Sequence, residues 1–142
     1  LITAEISPEL IATYKAAIYQ ASADTEIITL HIDQYCASLY RLLLKTGHRS
    51  AVFITAFNPR SQQQNRRKNL TSNGQLYKTL TQYSHALFNG VSSDPENKWP
   101  AEKSFLALGI NLKLAKQIGQ QFNQNAIVWA DVAAIPRLVL LR

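Results

Sequence analysis

Methionine is missing altogether from the 142 residues, cysteine occurs once, and glycine and proline occur five times each. Each scarcity excludes something. The lone Cys36 rules out an internal disulfide and fits a reducing compartment, so a cytoplasmic setting is expected. Neither a glycine-rich phosphate loop nor a G-x-S-x-G elbow can be found. His31, His48 and His85 are too scattered for a local metal motif, so no metal and no cofactor are expected. No apolar run approaches the roughly 20 residues that cross a bilayer, which argues against a membrane partner. The start, Leu1-Ile2-Thr3-Ala4-Glu5, lacks the basic head and apolar body of a signal peptide. With no methionine there, the natural start is expected to be trimmed or altered.

Acidic residues are scarce too, and their distribution is uneven. None occurs between Asp33 and Asp94, a stretch holding Arg41, Lys45, Arg49, Arg60, Arg66, Arg67, Lys68 and Lys78. That segment nets +8, while the remainder carries seven basic and nine acidic residues and nets −2. Such asymmetry suggests an anionic partner, a phosphate-bearing ligand or nucleic acid, against the alternative of a merely solvated basic face.

What is present is an ordinary globular composition, 46% hydrophobic and 17% charged, in a length suited to one domain over 1–142. Ser7-Pro8 starts a helix, and Leu10, Ile11, Tyr14, Ile18 and Ala21 recur at helical spacing. The β-branched run at 25–32 predicts a strand. Asp33 is then placed to cap a helix with the stripe Cys36, Leu39, Tyr40, Leu43 and Leu44, ended by a left-handed Gly47. Residues 50–57 are nearly all apolar, as in a strand covered on both faces.

Asn58-Pro59 breaks that strand, and Ser61 is placed to cap a long polar helix to about residue 84, kinked or interrupted at Asn73-Gly74. A short strand at 85–88, a turn-rich stretch at 89–100 and a strand at 104–110 follow. Asn111 caps a helix carrying Leu114, Ala115 and Ile118, and strands at 126–130 and 138–141 close the chain as a hairpin. The pattern predicts an α/β fold bordering on α+β. A mixed sheet would carry packed helices and end in an antiparallel strand pair.

Three segments concentrate polar side chains at strand ends. In the first, Thr55, Asn58 and Ser61 stand where a buried strand opens toward a helix, with Asn65 and Arg66 following. Ligands of open α/β sheets bind beyond strand carboxyl ends, and helix N-termini favour anions. These residues are the candidate ligand contacts; the alternative is that Asn58, Pro59 and Ser61 only form a turn and a cap. In the second, Glu102 is the one carboxylate entering a predicted core strand from a Pro-rich loop. It is the candidate catalytic acid or base, or a structural partner of Arg60 or Arg66. In the third, Gln124 and Asn125 connect a helix to a strand, where amides bind ligands or cap backbone. Cys36 lies on an apolar stripe and reads as an inert buried thiol, and Trp99 and Trp129 read as packing.

These blocks carry a resemblance. Residues 51–61, AVFITAFNPRS, look like the TA-x-NP-x-S motif of a bacterial family known as domain of unknown function 3293, with Asn65 at the matching distance. Residues 99–105 resemble its second block and 122–127 its third, and order and spacing agree from about Tyr14 to Leu140. Phe57 stands where an indole is common, and the Gln62–Gln64 run is unusual. The resemblance implies a fold and a bacterial origin but brings no activity with it.

Two functions are therefore expected. One is binding of a small anionic, nucleotide-like or phosphate- or carboxylate-bearing ligand at the Asn58-Pro59 turn, with or without catalysis. The other is nucleic-acid binding by the acid-free segment 34–93. Oligomeric state is not legible.

Overall fold

The computed structural model of the protein describes residues 5–142; Leu1 to Ala4, and with them most of the segment read against a signal peptide, lie outside the described residues. Helix α1 (Pro8–Ala16) starts as the Ser-Pro pair requires, with Ser7 Oγ accepting from Leu10 N at 3.1 Å. It stops sooner than the helical spacing predicts. Ile18 and Ala21 belong instead to strand β1 (Ile18–Ala23), in which Tyr19, Ala21 and Ala23 are buried. A period of two outweighs one of 3.6 here because β1 is paired on both sides, and tertiary hydrogen bonding overrides a short helical pattern.

Strand β2 (Glu26–Leu30) returns from β1 through a left-handed Asp24. Helix α2 (Ala37–Thr46) begins later than the Asp33 cap implied. Asp33 is itself left-handed, its N–H donates to Pro136 O, and Cys36 is the N-cap residue. The helix buries Leu39, Leu42 and Leu43, leaves Tyr40 and Leu44 exposed, and ends at Gly47 with φ +75°.

Strand β3 (Ala51–Ile54) is buried at every position. A 3-10 turn (Pro59–Ser61) follows, and helix α3 (Arg66–Thr81) is capped by Asn65, whose side chain accepts from Lys68 N at 2.9 Å, not by Ser61. The helix runs through Asn73-Gly74 without a break. Strand β4 (Leu87–Ser93) extends five residues into the stretch expected to be turns, because Ile18–Ala21 and Glu102–Ala107 pair with it from either side. Strand β5 (Glu102–Leu108), helix α4 (Leu112–Gln121, capped by Asn111), and strands β6 (Ala126–Ala130) and β7 (Arg137–Leu140) complete the chain.

The seven strands form one sheet in the order β2-β1-β4-β5-β3-β6-β7. Helices packed on a sheet with a closing antiparallel pair are as expected, but every pairing is antiparallel and none is parallel. Helices α3 and α4 nevertheless cross over: α3 joins β3 to β4 past β5, and α4 joins β5 to β6 past β3, each pair running in the same direction with an antiparallel strand between. The helices cover both faces of the sheet. Alternation along β3 divides the core: Ala51 and Phe53 join Leu39, Leu43, Leu106 and Val128 on one side, while Val52 and Ile54 join Leu76, Leu80, Ala115 and Ile118 on the other. This two-sided burial is why residues 50–57 read as an unbroken apolar run. No helix of the described residues is long and apolar enough to cross a membrane.

Candidate functional site

Glu102 is the first residue of β5, and the even-numbered positions that follow it, Ser104, Leu106 and Leu108, are all buried. Side chains two apart share a sheet face, so the strand register puts a carboxylate on a core-facing row. Across the strands Glu102 pairs with Ser92, and Ser92 with Tyr19, so a carboxylate, a hydroxyl and a phenol stand side by side. Above this row lies a cavity of about 270 Å³, near the small end of ligand pockets. The sheet forms its floor. Leu10, Thr13 and Tyr14 of α1, the 57–63 turn and Trp99-Pro100 form its walls.

The turn after β3 is held in a costly conformation. Asn58, Arg60 and Ser61 all have positive φ, at +46°, +58° and +58°. Each non-glycine residue in the left-handed region costs roughly 1–2 kcal/mol, so the surroundings must fix it. Three consecutive residues between α4 and β6 do so. Asn123 O accepts from Arg60 N at 2.8 Å, Gln124 Nε2 donates to Phe57 O at 3.2 Å, and Asn125 Nδ2 donates to Ser61 Oγ at 3.3 Å. Asn125 Nδ2 also donates to Tyr14 OH at 3.0 Å, and Tyr14 OH and Ser61 Oγ are themselves in hydrogen-bond contact.

From the other side, two buried asparagines of α3 face the turn at i and i+4. Asn69 Oδ1 accepts from Asn58 N at 2.9 Å, and Asn73 Oδ1 accepts from Ala56 N at 2.8 Å. Asn73 Nδ2 then donates to Lys103 O at 3.0 Å, a carbonyl that Thr55 Oγ1 also reaches at 2.6 Å. The first and second polar blocks are thus stitched together through the backbone beside Glu102.

Asn58 is the junction. Its Oδ1 accepts from Gln64 N and from Asn69 Nδ2, both at 3.0 Å, which directs its Nδ2 to Glu102 Oε2 at 2.6 Å. That is the carboxylate's one side-chain partner among the described residues. The ion pairs there are Arg41–Glu26, Lys45–Asp24 and Lys98–Glu96, so Glu102 does not pair with Arg60 or Arg66 as the structural alternative required. Burial raises the Glu102 pKa above the ordinary carboxylate value, and the Asn58 hydrogen bond opposes the rise only in part. Tyr19 is pushed up as well, first by burial and then by Tyr14 and Glu102, and its hydroxyl donates to Tyr14 O at 2.6 Å.

Of the candidate residues, Thr55, Asn58, Ser61, Glu102 and Gln124 line the one cavity. Asn65 and Arg66 do not. Asn65 is occupied as the α3 cap and borders a shallow outer depression with Arg60 and Lys68, and Arg66 is exposed. Sequence reasoning took Tyr14 only for part of the first helix's apolar stripe, and it missed Tyr19, concealed by the overextended first helix, and the Asn69/Asn73 pair. The pair did leave a signal: 69, 73, 76 and 80 continue the buried stripe of Leu76 and Leu80 at helical spacing. Cys36 is buried, with Sγ 3.3 Å from Thr29 O, away from the cavity. Among the described residues no three His, Cys, Asp or Glu side chains gather as a metal site.

Fold and site together define an α/β domain on an antiparallel sheet with a small, partly open cavity walled by three polar blocks, the second of which supplies a carboxylate with no cation among the described residues. The chain belongs to the family described as Protein of unknown function (DUF3293), whose model matches residues 54–127, just over half the chain and the segment spanning all three blocks. No curated protein and no solved structure matches it.

Proposed function

We propose that the domain binds a small ligand in the cavity between α1 and the sheet, with Glu102 and Asn58 as its polar anchors. The observation that carries this reading is Glu102 itself: a carboxylate on a core-facing row, with one hydrogen bond and no cation among the described residues. Glu102 is half-buried, partial desolvation of a charge without a cation is costly, and a ligand donor completing its coordination offsets that cost. The costly turn supports the same reading, since strained backbone held from several sides clusters at functional sites. An anionic ligand, expected from the basic middle segment, is less well served, because no Lys, Arg or His among the described residues lines the cavity. If the ligand is turned over, Glu102 is the acid–base group, its raised pKa suiting proton transfer nearer neutrality. The lone reduced thiol and the family resemblance support a bacterial cytoplasmic setting.

Differential scanning against a metabolite collection tests the proposal with Ser104→Leu as the control. Ser104 is buried on the cavity floor, so leucine fills the space; it removes the Ser104 Oγ bond to Glu102 O but none of the bonds of the Asn58 side chain. A compound that stabilises the natural protein and not the filled variant is expected; stabilisation of both to the same degree places binding elsewhere and contradicts the proposal.

A second reading has its own observation. Arg60, Arg66, Arg67 and Lys68 are exposed around the same turn and take part in none of the ion pairs among the described residues. Phosphate contacts by these four would give nucleic-acid affinity that falls steeply with salt. Filter binding at two salt concentrations checks it, and no retention at low salt removes it.

A further inference from the structure

The cavity's walls say more about the ligand than that it is small. Five aromatic side chains, Tyr14, Tyr19, Phe53, Phe57 and Trp99, line it together with the single carboxylate of Glu102. Tyr19 and Phe53 are locked edge to face with ring centroids 5.3 Å apart, and Gly90 leaves the space the Phe53 ring occupies: a Cβ there would stand 2.8 Å from it. The Tyr19–Phe53 part of the aromatic wall is therefore closely packed. Aromatic faces carry negative quadrupoles, and a cation enclosed by them is attracted without giving up much to water. Glu102 leaves Oε1 without a partner and Oε2 with only the Asn58 amide. The other titratable wall groups are the phenols of Tyr14 and Tyr19, and no basic side chain competes for the carboxylate from α1, the turn or the neighbouring strands. Arg142 reaches Asn125 Oδ1 at 3.2 Å but is not part of the wall.

Building on the ligand-binding reading above, we propose that the cavity selects an organic cation, a primary or quaternary ammonium group on a small apolar body, by pairing its charge with Glu102 and enclosing the remainder in aromatic side chains. An anion would face a half-buried carboxylate with no cation beside it, and a neutral ligand would cover that charge without compensating it. Both are disfavoured by the same residue.

Calorimetric titration with benzylammonium and choline, each beside its neutral isostere benzyl alcohol or 3,3-dimethylbutanol, tests the selection. At least one cation is expected to bind tenfold or more tightly than its isostere, with the preference lost in Glu102→Gln. Should that variant fold poorly, the natural protein supplies the same information. Cation affinity should rise with pH as Glu102 ionises, while isostere affinity stays level. Isosteres binding as well as cations, or AMP displacing them, overturns the selection and leaves a cavity-binding domain standing. Absence of binding by cations, isosteres and AMP alike overturns the selection and the ligand-binding reading together.

Discussion

Asn58 Nδ2 donates to Glu102 Oε2 across 2.6 Å, joining a left-handed turn residue after one central strand to the first residue of the strand beside it. The contact spans 44 positions of sequence. It depends on α3, because Asn69 Nδ2 and Gln64 N occupy the Asn58 carbonyl oxygen and so leave the amide nitrogen to face the acid.

Asn58→Ala removes three side-chain hydrogen bonds and puts alanine at φ +46°. A loss of about 3 kcal/mol in urea unfolding is expected from partly buried groups left unsatisfied. Asn58→Gly, which tolerates the backbone, is expected to lose about 1 kcal/mol less. Equal losses would show that the left-handed conformation is not what the turn maintains.

Arg60 is also left-handed, at φ +58°, but is exposed and anchored by its backbone alone. Arg60→Gly is therefore expected to leave stability unchanged or raise it by up to about 1 kcal/mol, as strain relief offsets the greater entropy of glycine in the unfolded chain. A loss beyond about 1 kcal/mol in the same unfolding assay would contradict this separation of Asn58 from Arg60.

Asn73→Ala deprives Ala56 N–H of its acceptor and removes one of two donors to Lys103 O, all beneath α3. A loss of roughly 2 kcal/mol is expected. Exchange of the Ala56 amide with solvent should accelerate beyond the change in global stability, and an unaffected exchange rate would count against the link.

Much of this architecture was legible, and the failures have physical causes. The Ser7-Pro8 start, the Gly47 stop and the Asn111 cap are local signals, and each stands where its chemistry put it. The Ile18–Ala21 segment was not legible, because its strand character comes from neighbours remote in sequence. Alternating helices and strands suggest a mixed sheet, but alternation does not fix which strands pair: α3 and α4 each cross over one strand, so the co-directional strands they join are kept apart by an antiparallel one. In the site, Asn58, Glu102 and Gln124 stood out because polar residues flanked apolar runs. Arg66 stood out by its charge, yet its place on α3 sends it outward. Charge along the chain says nothing of which way a helix faces.

Glu102 gives the fold a defined pH dependence. Its folded pKa lies above its unfolded value, so its contribution to stability is complete below the ordinary carboxylate pKa and is lost as pH rises through the folded one. Glu102→Gln cannot ionise and should lack that decline. As pH rises from the ordinary carboxylate range through the raised folded pKa, the variant is expected to gain stability relative to the natural protein. A constant difference across that range would mean the carboxylate is not held in a desolvated wall.

Amide and indole shift mapping during titrations with benzylammonium, choline, their two neutral isosteres and AMP tests the central claim most directly, that Asn58 and Glu102 wall a ligand cavity. The account predicts shifts concentrated at Asn58, Glu102, Gln124 and the Trp99 indole, absent from Ser104→Leu. Shifts confined to Arg66, Arg67 and Lys68 on the outer face of α3, or none at any residue, would contradict it.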